Sequence, residues 1–132
     1  MQAGGVVRVF IADDSLGFGT LAGAWLEAYE DLDVVGTART AADAIAQIAA
    51  TRPDVVLLDR LLQQPEHSEA VLAHVRQELP EAAVLLVSGM PDEHLAQEAQ
   101  LAQADGHVSK AVDAGALADA VRRAAATRAA GA

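Results

Sequence analysis

The chain has 132 residues, a net charge of −10 and no cysteine; that is the length of one domain, and disulfides and thiolate metal sites are excluded. The acidic balance argues against non-specific nucleic-acid binding, because a phosphate backbone would repel it, and suits a cation or a basic partner surface. No apolar run approaches a membrane span and the opening residues lack a signal-peptide pattern, so the expected location is the cytoplasm.

Residues 1–5 read as a loose leader. Val6-Val7-Arg8-Val9-Phe10-Ile11-Ala12 is a buried strand that ends in Asp13-Asp14. Ser15 is placed to cap a helix starting near Leu16, with Phe18, Leu21, Trp25 and Ala28 as its predicted inward stripe. Gly17, Gly19 and Gly23 weaken that helix intrinsically, and their small size suits close packing. A second strand is predicted over 33–38. Thr40 to Asp43 resembles a capping box with Asp in place of Glu, and Ile45 and Ile48 share one face of the helix that follows. Pro53 stops that helix and launches Val55-Val56-Leu57-Leu58-Asp59, an apolar strand with no polar alternation, as expected for a strand covered on both faces. A loop over 60–65 leads through Pro65 into a helix with Val71, Leu72, Val75 and Leu79 inward. Residues 82–88 form a fourth strand ending in Ser88-Gly89. The stretch 91–104 carries a thin helical stripe and is the least firmly anchored element. Gly106-His107-Val108-Ser109-Lys110 is a short fifth strand. Asp113 caps a last helix with Leu117, Val121 and Ala124 inward and Arg122 and Arg123 outward. The Ala-rich end reads as a frayed helix end or the start of a linker.

Strand and helix alternate five times, which calls for an α/β fold with a parallel sheet and helices on both faces. Right-handed crossovers leave few topologies, and the flavodoxin-like doubly wound order 2-1-3-4-5 fits five strands of this length. One domain is expected over 1–132, with its core about 6–127.

In that order the carboxyl ends of the first, third, fourth and fifth strands meet in one crevice, where open α/β sheets bind ligands. They carry Asp13-Asp14, Asp59, Ser88 and Lys110. Three carboxylates there repel one another unless a cation joins them. Mg²⁺, a hard ion with oxygen ligands, is the natural candidate. Ser88 offers a hydroxyl and Lys110 a point charge for a phosphoryl oxygen. These are the parts for phosphoryl transfer to a carboxylate. Each has a bland alternative as a cap, a turn or a solvated side chain, but one such residue at the tip of each of four strands favours a common site. No Gly-rich phosphate loop, nucleophile elbow or metal-spaced His pair appears. His67, His74 and His94 fall in helical segments and are expected to be solvated.

This ordered set resembles the receiver domain of two-component response regulators, over nearly the whole chain. The stretches Leu32-Asp33-Val34-Val35-Gly36-Thr37-Ala38 and Arg52-Pro53-Asp54-Val55-Val56-Leu57-Leu58-Asp59 are similar to receivers of the LuxR/NarL type, which are attached to a helix-turn-helix DNA-binding domain. The resemblance implies that Asp59 accepts a phosphoryl group from a sensor histidine kinase. It implies that Asp13, Asp14, Asp59 and the backbone carbonyl of Leu61 hold Mg²⁺, and that Lys110 pairs with Asp59. Ser88 and His107 then stand at the switch positions, Ser88 turning toward the phosphoryl group and His107 replacing the usual switch aromatic. It further implies control of a transcriptional output domain and a homodimer formed on phosphorylation.

The sequence departs from the family pattern after Asp59. The usual Met-Pro and nearby Gly are replaced by Leu62-Gln63-Gln64-Pro65, which puts the loop geometry around the Leu61 carbonyl in question. Ala111 replaces the Pro that often follows the Lys, so the cis peptide common there is not expected. Leu61 and Met90 are apolar at positions that in the family influence the attacking water, which predicts slow hydrolysis of the aspartyl phosphate. Two other functions compete. One is a receiver that docks partners without being phosphorylated. The other is a Mg²⁺-dependent phosphohydrolase, against which stands Leu61 where such enzymes carry a second Asp. On the favoured reading the chain is not a metabolic enzyme and catalyses at most its own phosphorylation and dephosphorylation.

Overall fold

The computed structural model describes residues 5–60, 62, 65–89 and 104–131. Along these run β1 (Val7–Ala12), α1 (Leu16–Glu27), β2 (Leu32–Ala38), α2 (Ala41–Thr51), β3 (Val55–Asp59), α3 (Pro65–Glu78), β4 (Ala83–Ser88), β5 (Gly106–Ser109) and α4 (Ala114–Gly131). The helix predicted over 91–104, together with Leu61, Met90 and His94, lies outside the described residues.

Five parallel strands form one sheet in the order β2-β1-β3-β4-β5, the doubly wound arrangement expected from the alternation of elements. Successive strand residues point to opposite faces, and each face has its own core. Phe10, Val56, Leu58, Val84 and Leu86 pack with Ile48 of α2 and Val71 and Val75 of α3. Val9, Ile11, Val55, Leu57, Leu85 and Val87 pack with Leu26 of α1 and Leu117 and Val121 of α4. β3 and β4 are buried at every position, so their unbroken apolar runs follow from having helices on both sides.

The caps form as expected. Ser15 Oγ accepts the Phe18 N–H, Thr40 Oγ1 accepts the Asp43 N–H and Asp113 Oδ1 accepts the Ala116 N–H. The Asp43 carboxylate accepts from Gln47 Nε2. Arg52 ends α2 in the left-handed region at φ 48°, immediately before Pro53. No cis peptide occurs among the described residues, as the substitution of Ala111 for Pro predicts.

Several expectations are corrected. In α1 the fully buried residues are Ala22 and Leu26, with Phe18, Trp25 and Tyr29 partly buried, whereas Leu21 is 45% exposed and Ala28 is exposed beyond the helix end. The sequence of α1 is apolar almost all round, so it does not itself choose a face; contact with β1 and α4 does. Of the α1 glycines only Gly23 approaches a neighbour, and at ordinary contact distance; Gly17 and Gly19 face open space. Gly36 is the glycine that allows close approach in β2, since a Cβ there would lie 2.9 Å from a Phe10 ring carbon. It sits beside the irregularity at which Val9 pairs with Val34 but Phe10 pairs with Gly36. His67 and His74 are half-buried rather than solvated, and Nδ1 of the first and Nε2 of the second are buried without a hydrogen-bond partner among the described residues. Arg122 is outward as expected but held there: it forms a bidentate pair with Asp31 at 2.8 and 2.9 Å and stacks on Tyr29. The Ala-rich end stays helical to Gly131.

Candidate functional site

Parallel register brings the chemistry together. Ala12 pairs with Leu58, so the next residue on each strand, Asp13 on one and Asp59 on the other, stands side by side. Asp59 in turn pairs with Val87, and Ser88 pairs with Ser109, immediately before Lys110. The Lys110 N–H donates to the Ser88 carbonyl at 2.8 Å, which fixes where the lysine side chain leaves the sheet. All four strand tips therefore converge as the alternation of elements predicts.

Asp13, Asp14 and Asp59 each offer a carboxylate oxygen, and these oxygens lie within 4.8 Å of one another. Lys110 Nζ is 2.9 Å from Asp13 Oδ2 and 3.7 Å from Asp59 Oδ2. The ammonium is thus closer to Asp13 than to Asp59, the reverse of the emphasis that the resemblance gave. The Phe18 ring lies 5.2 Å from Nζ and covers it from the α1 side. Asp13 Oδ1 accepts the Ser15 N–H at 2.6 Å, which ties this carboxylate to the start of α1. Asp14 is exposed, whereas Asp13, Asp59 and Ser88 are buried. At 6% exposure Asp59 is recessed rather than open to solvent. His107 is exposed on β5, opposite Leu86.

Three carboxylates face one ammonium, and the donors are all oxygen. That set fits a hard divalent cation better than a softer metal, and an oxygen-liganded Mg²⁺ would meet its charge requirement. Asp13, Asp14 and Asp59 are the side chains that would hold it; Leu61, whose carbonyl is implicated by the resemblance, lies outside the described residues. Beside Asp13 a cleft of about 100 Å³, lined in part by Ser15, Thr20, Thr37 and Arg39, opens between α1 and the end of β2. That is well below the roughly 300–1,000 Å³ of small-molecule sites.

One residue of this region escapes a reading by strand tips. Ser68 of α3 is buried; its Oγ donates to the Asp59 carbonyl at 2.6 Å and accepts the Leu62 N–H at 2.8 Å. Its spacing is the signal: positions 68, 71, 72, 75 and 79 share one helical face, so a lone hydroxyl stands in an otherwise apolar stripe.

A family model described as the response regulator receiver domain matches residues 9–122. The chain belongs to this family. Among curated proteins, the receiver is 27% identical over 117 residues to the response regulator protein VraR of Staphylococcus aureus, an alignment covering 89% of this chain and 56% of the relative. It spans about half the length of the curated relatives it matches. Among solved structures, it is similar to a LuxR-family response regulator of Aurantimonas sp. SI85-9A1, with 27% identity, a TM-score of 0.82 and coverage of 93% of this chain and 87% of the other. It is also similar to the signal receiver domain of NarL from Mycobacterium tuberculosis, with 32% identity, a TM-score of 0.79 and coverage of 92% and 97%. The LuxR/NarL resemblance read from the second and third strands agrees with both. Receiver domains bind Mg²⁺ through an acidic cluster, are phosphorylated by sensor histidine kinases and are in general not metabolic enzymes. No helix among the described residues is long and apolar enough to cross a membrane.

Proposed function

We propose that this receiver is phosphorylated on Asp59 by a sensor histidine kinase in a Mg²⁺-dependent reaction and controls a transcriptional output domain outside these 132 residues. The observation that carries the proposal is the approach of Lys110 Nζ to within 3.7 Å of Asp59 Oδ2, with Asp13 and Asp14 oxygens in the same 4.8 Å cluster. An Asp59 carboxylate oxygen forms a new P–O bond as the P–N bond of the phosphohistidine breaks. The imidazole leaves and takes up a proton from water. Mg²⁺, when bound by the acidic cluster, neutralises charge on the phosphoryl oxygens. Lys110, 3.7 Å from Asp59 and 2.9 Å from Asp13, provides a second positive charge. Ser88, at the tip of β4, is the hydroxyl that meets the phosphoryl group, and with His107 it passes the change to the surface of β5 and α4, where a homodimer would form.

The domain spans 1–132 on this reading, with its core about 6–127, and it works in the cytoplasm. With a net charge of −10 the chain itself does not contact DNA; that task falls to the output domain. The Leu at position 61 favours a switch over a phosphohydrolase. Apolar Leu61 and Met90 leave the hydrolytic water without an orienting group, so the phosphoform is long-lived, and Leu61→Gln or Met90→Glu shortens its lifetime.

Incubation with Mg²⁺ and acetyl phosphate, read by intact mass, tests the reading. A stoichiometric phosphoryl adduct that disappears in Asp59→Asn supports it. Absence of an adduct points to a docking module, and steady release of phosphate points to a phosphohydrolase.

A further inference from the structure

The main chain leaving β3 is held at two points. The Arg60 N–H donates to the Val87 carbonyl at 2.9 Å, which continues the ladder with β4. Two residues later the chain is held by α3 instead, through Ser68. The Ser68 hydroxyl hydrogen is committed to the Asp59 carbonyl at 2.6 Å, so its lone pairs are free to take the Leu62 N–H at 2.8 Å. That N–H also lies 3.3 Å from the Asp59 carbonyl, a weaker contact that closes a three-membered ring of polar groups. Ser68 is 5% exposed, and Leu62 is fully buried in the core under α2 and α3.

Removing the hydroxyl takes a short hydrogen bond from the Asp59 carbonyl and an acceptor from the Leu62 N–H, so α3 loses its hold on the chain at both residues. The chain leaving β3 is then still tied to β4 at Arg60 but no longer to α3, and the main chain at Asp59, from which the carboxylate projects, loses an anchor. Asp59 needs its carboxylate kept within 4.8 Å of Asp13 and Asp14 and beside Lys110. The turn sequence that usually shapes this loop in the family, Met-Pro followed by Gly, is missing here. A hydroxyl reaching back from α3 instead ties Asp59 and Leu62 to one helix.

We infer that Ser68 is a positioning residue for the phosphoacceptor: its hydroxyl fixes the main chain on both sides of the β3 tip and so holds the Asp59 carboxylate in the geometry that binds Mg²⁺ and attacks phosphorus. The inference rests on the phosphoacceptor reading above. Groups that orient metal-binding side chains are typically worth 10–100-fold in affinity or activity.

The test measures Mg²⁺ affinity by calorimetry, the initial rate of adduct formation with acetyl phosphate and Mg²⁺, and Tm, for the unaltered chain, Ser68→Ala, Ser68→Thr and Val75→Ala. Ser68→Ala is expected to weaken Mg²⁺ binding and to slow labelling, each by about tenfold or more. Ser68→Thr keeps the hydroxyl and restores both. Val75→Ala removes buried methyl groups from the same helix, and it lowers Tm without changing Mg²⁺ affinity. If Ser68→Ala does not fold, Ser68→Cys takes its place, with the same expectation. A folded Ser68→Ala that matches the unaltered chain in both Mg²⁺ affinity and labelling overturns the inference. So does a Val75→Ala that loses as much affinity as Ser68→Ala, since loss of stability would then explain both. An unaltered chain that takes no phosphoryl group sinks the phosphoacceptor reading itself, and this inference with it; an unaltered chain that labels as fast as Ser68→Ala sinks only the role of Ser68.

Discussion

Asp59→Asn should make the metal-free receiver more stable. Asp59 carries a charge within 4.8 Å of the nearest oxygens of Asp13 and Asp14, and 3.7 Å from Lys110 Nζ. At an effective dielectric constant of about 20, each carboxylate repulsion is worth roughly 3.5 kcal/mol, and the attraction to Lys110 is worth roughly 4.5 kcal/mol. The two repulsions outweigh the single attraction by about 2 kcal/mol. Asp14 is exposed, and solvent screening of its share brings the net down toward about 1 kcal/mol. Neutralising Asp59 should therefore raise Tm by roughly 3–10 °C for a domain of this size. The assay is thermal or denaturant unfolding in EDTA at low salt, repeated with millimolar Mg²⁺. Binding to the folded state alone stabilises the unaltered chain by mass action. Asp59→Asn loses a ligand and gains less, so the gap between the two narrows or reverses on adding Mg²⁺. An Asp59→Asn chain less stable than its parent in EDTA would refute the reasoning, because the Lys110 pair would then dominate the acidic cluster.

Four further perturbations have outcomes worked from the same structure. Lys110→Ala removes the cation between Asp13 and Asp59 and should destabilise by about 3 kcal/mol, the low end for a buried pair because Lys110 is 23% exposed; a loss of less than about 1 kcal/mol in that variant, the value of a surface pair, would contradict this. Gly36→Ala places a Cβ 2.9 Å from the fully buried Phe10 ring and 2.8 Å from Gln47 Oε1, at a cost of about 1–3 kcal/mol. Gly19→Ala meets nothing within 4 Å and should stabilise α1 by about 0.5–1 kcal/mol; urea midpoints read both signs. Arg122 beside Asp31 holds that carboxyl below its ordinary value of 3.8. The contribution is present in full above that value and is lost as pH falls through the depressed one. The Tm difference between the parent and Arg122→Ala should therefore be constant near neutral pH and close below about pH 4.

The sheet was legible because its strands are buried on both faces. Val55-Val56-Leu57-Leu58 and Val84-Leu85-Leu86-Val87 have no polar alternation, and only a strand flanked by two helical layers tolerates that. α3 was legible for the opposite reason, since Val71, Leu72, Val75 and Leu79 leave a polar remainder that marks the outside. α1 has no such remainder. Leu21 and Leu26 are equally apolar, and one is 45% exposed while the other is fully buried. What separates them is the direction from which β1 and α4 approach, and that is a property of the assembled sheet. Arg122 and the two histidines of α3 belong to the same class. A charged residue on a predicted outer face can still be tied down by a neighbour such as Asp31 that is 91 residues away in sequence.

The site divides along the same line. Asp13 and Asp59 could be placed together from sequence because strand register is a backbone property: once β1 lies beside β3, carboxylates that follow Ala12 and Leu58 must be neighbours. Which carboxylate takes the lysine could not be placed this way. Lys110 reaches Asp13 at 2.9 Å and Asp59 at 3.7 Å, a side-chain choice that strand register does not fix. Ser68 lies between these cases. Its partners sit nine and six residues away, across a loop whose usual turn residues are absent, so no motif announces it. A hydroxyl inside the apolar stripe of α3 announces it instead, because a buried hydroxyl without partners is costly and this one finds them in the Asp59 carbonyl and the Leu62 N–H. Strand tips bring the reacting groups into one place, and a polar residue misplaced by the rules of amphipathicity marks what holds them there.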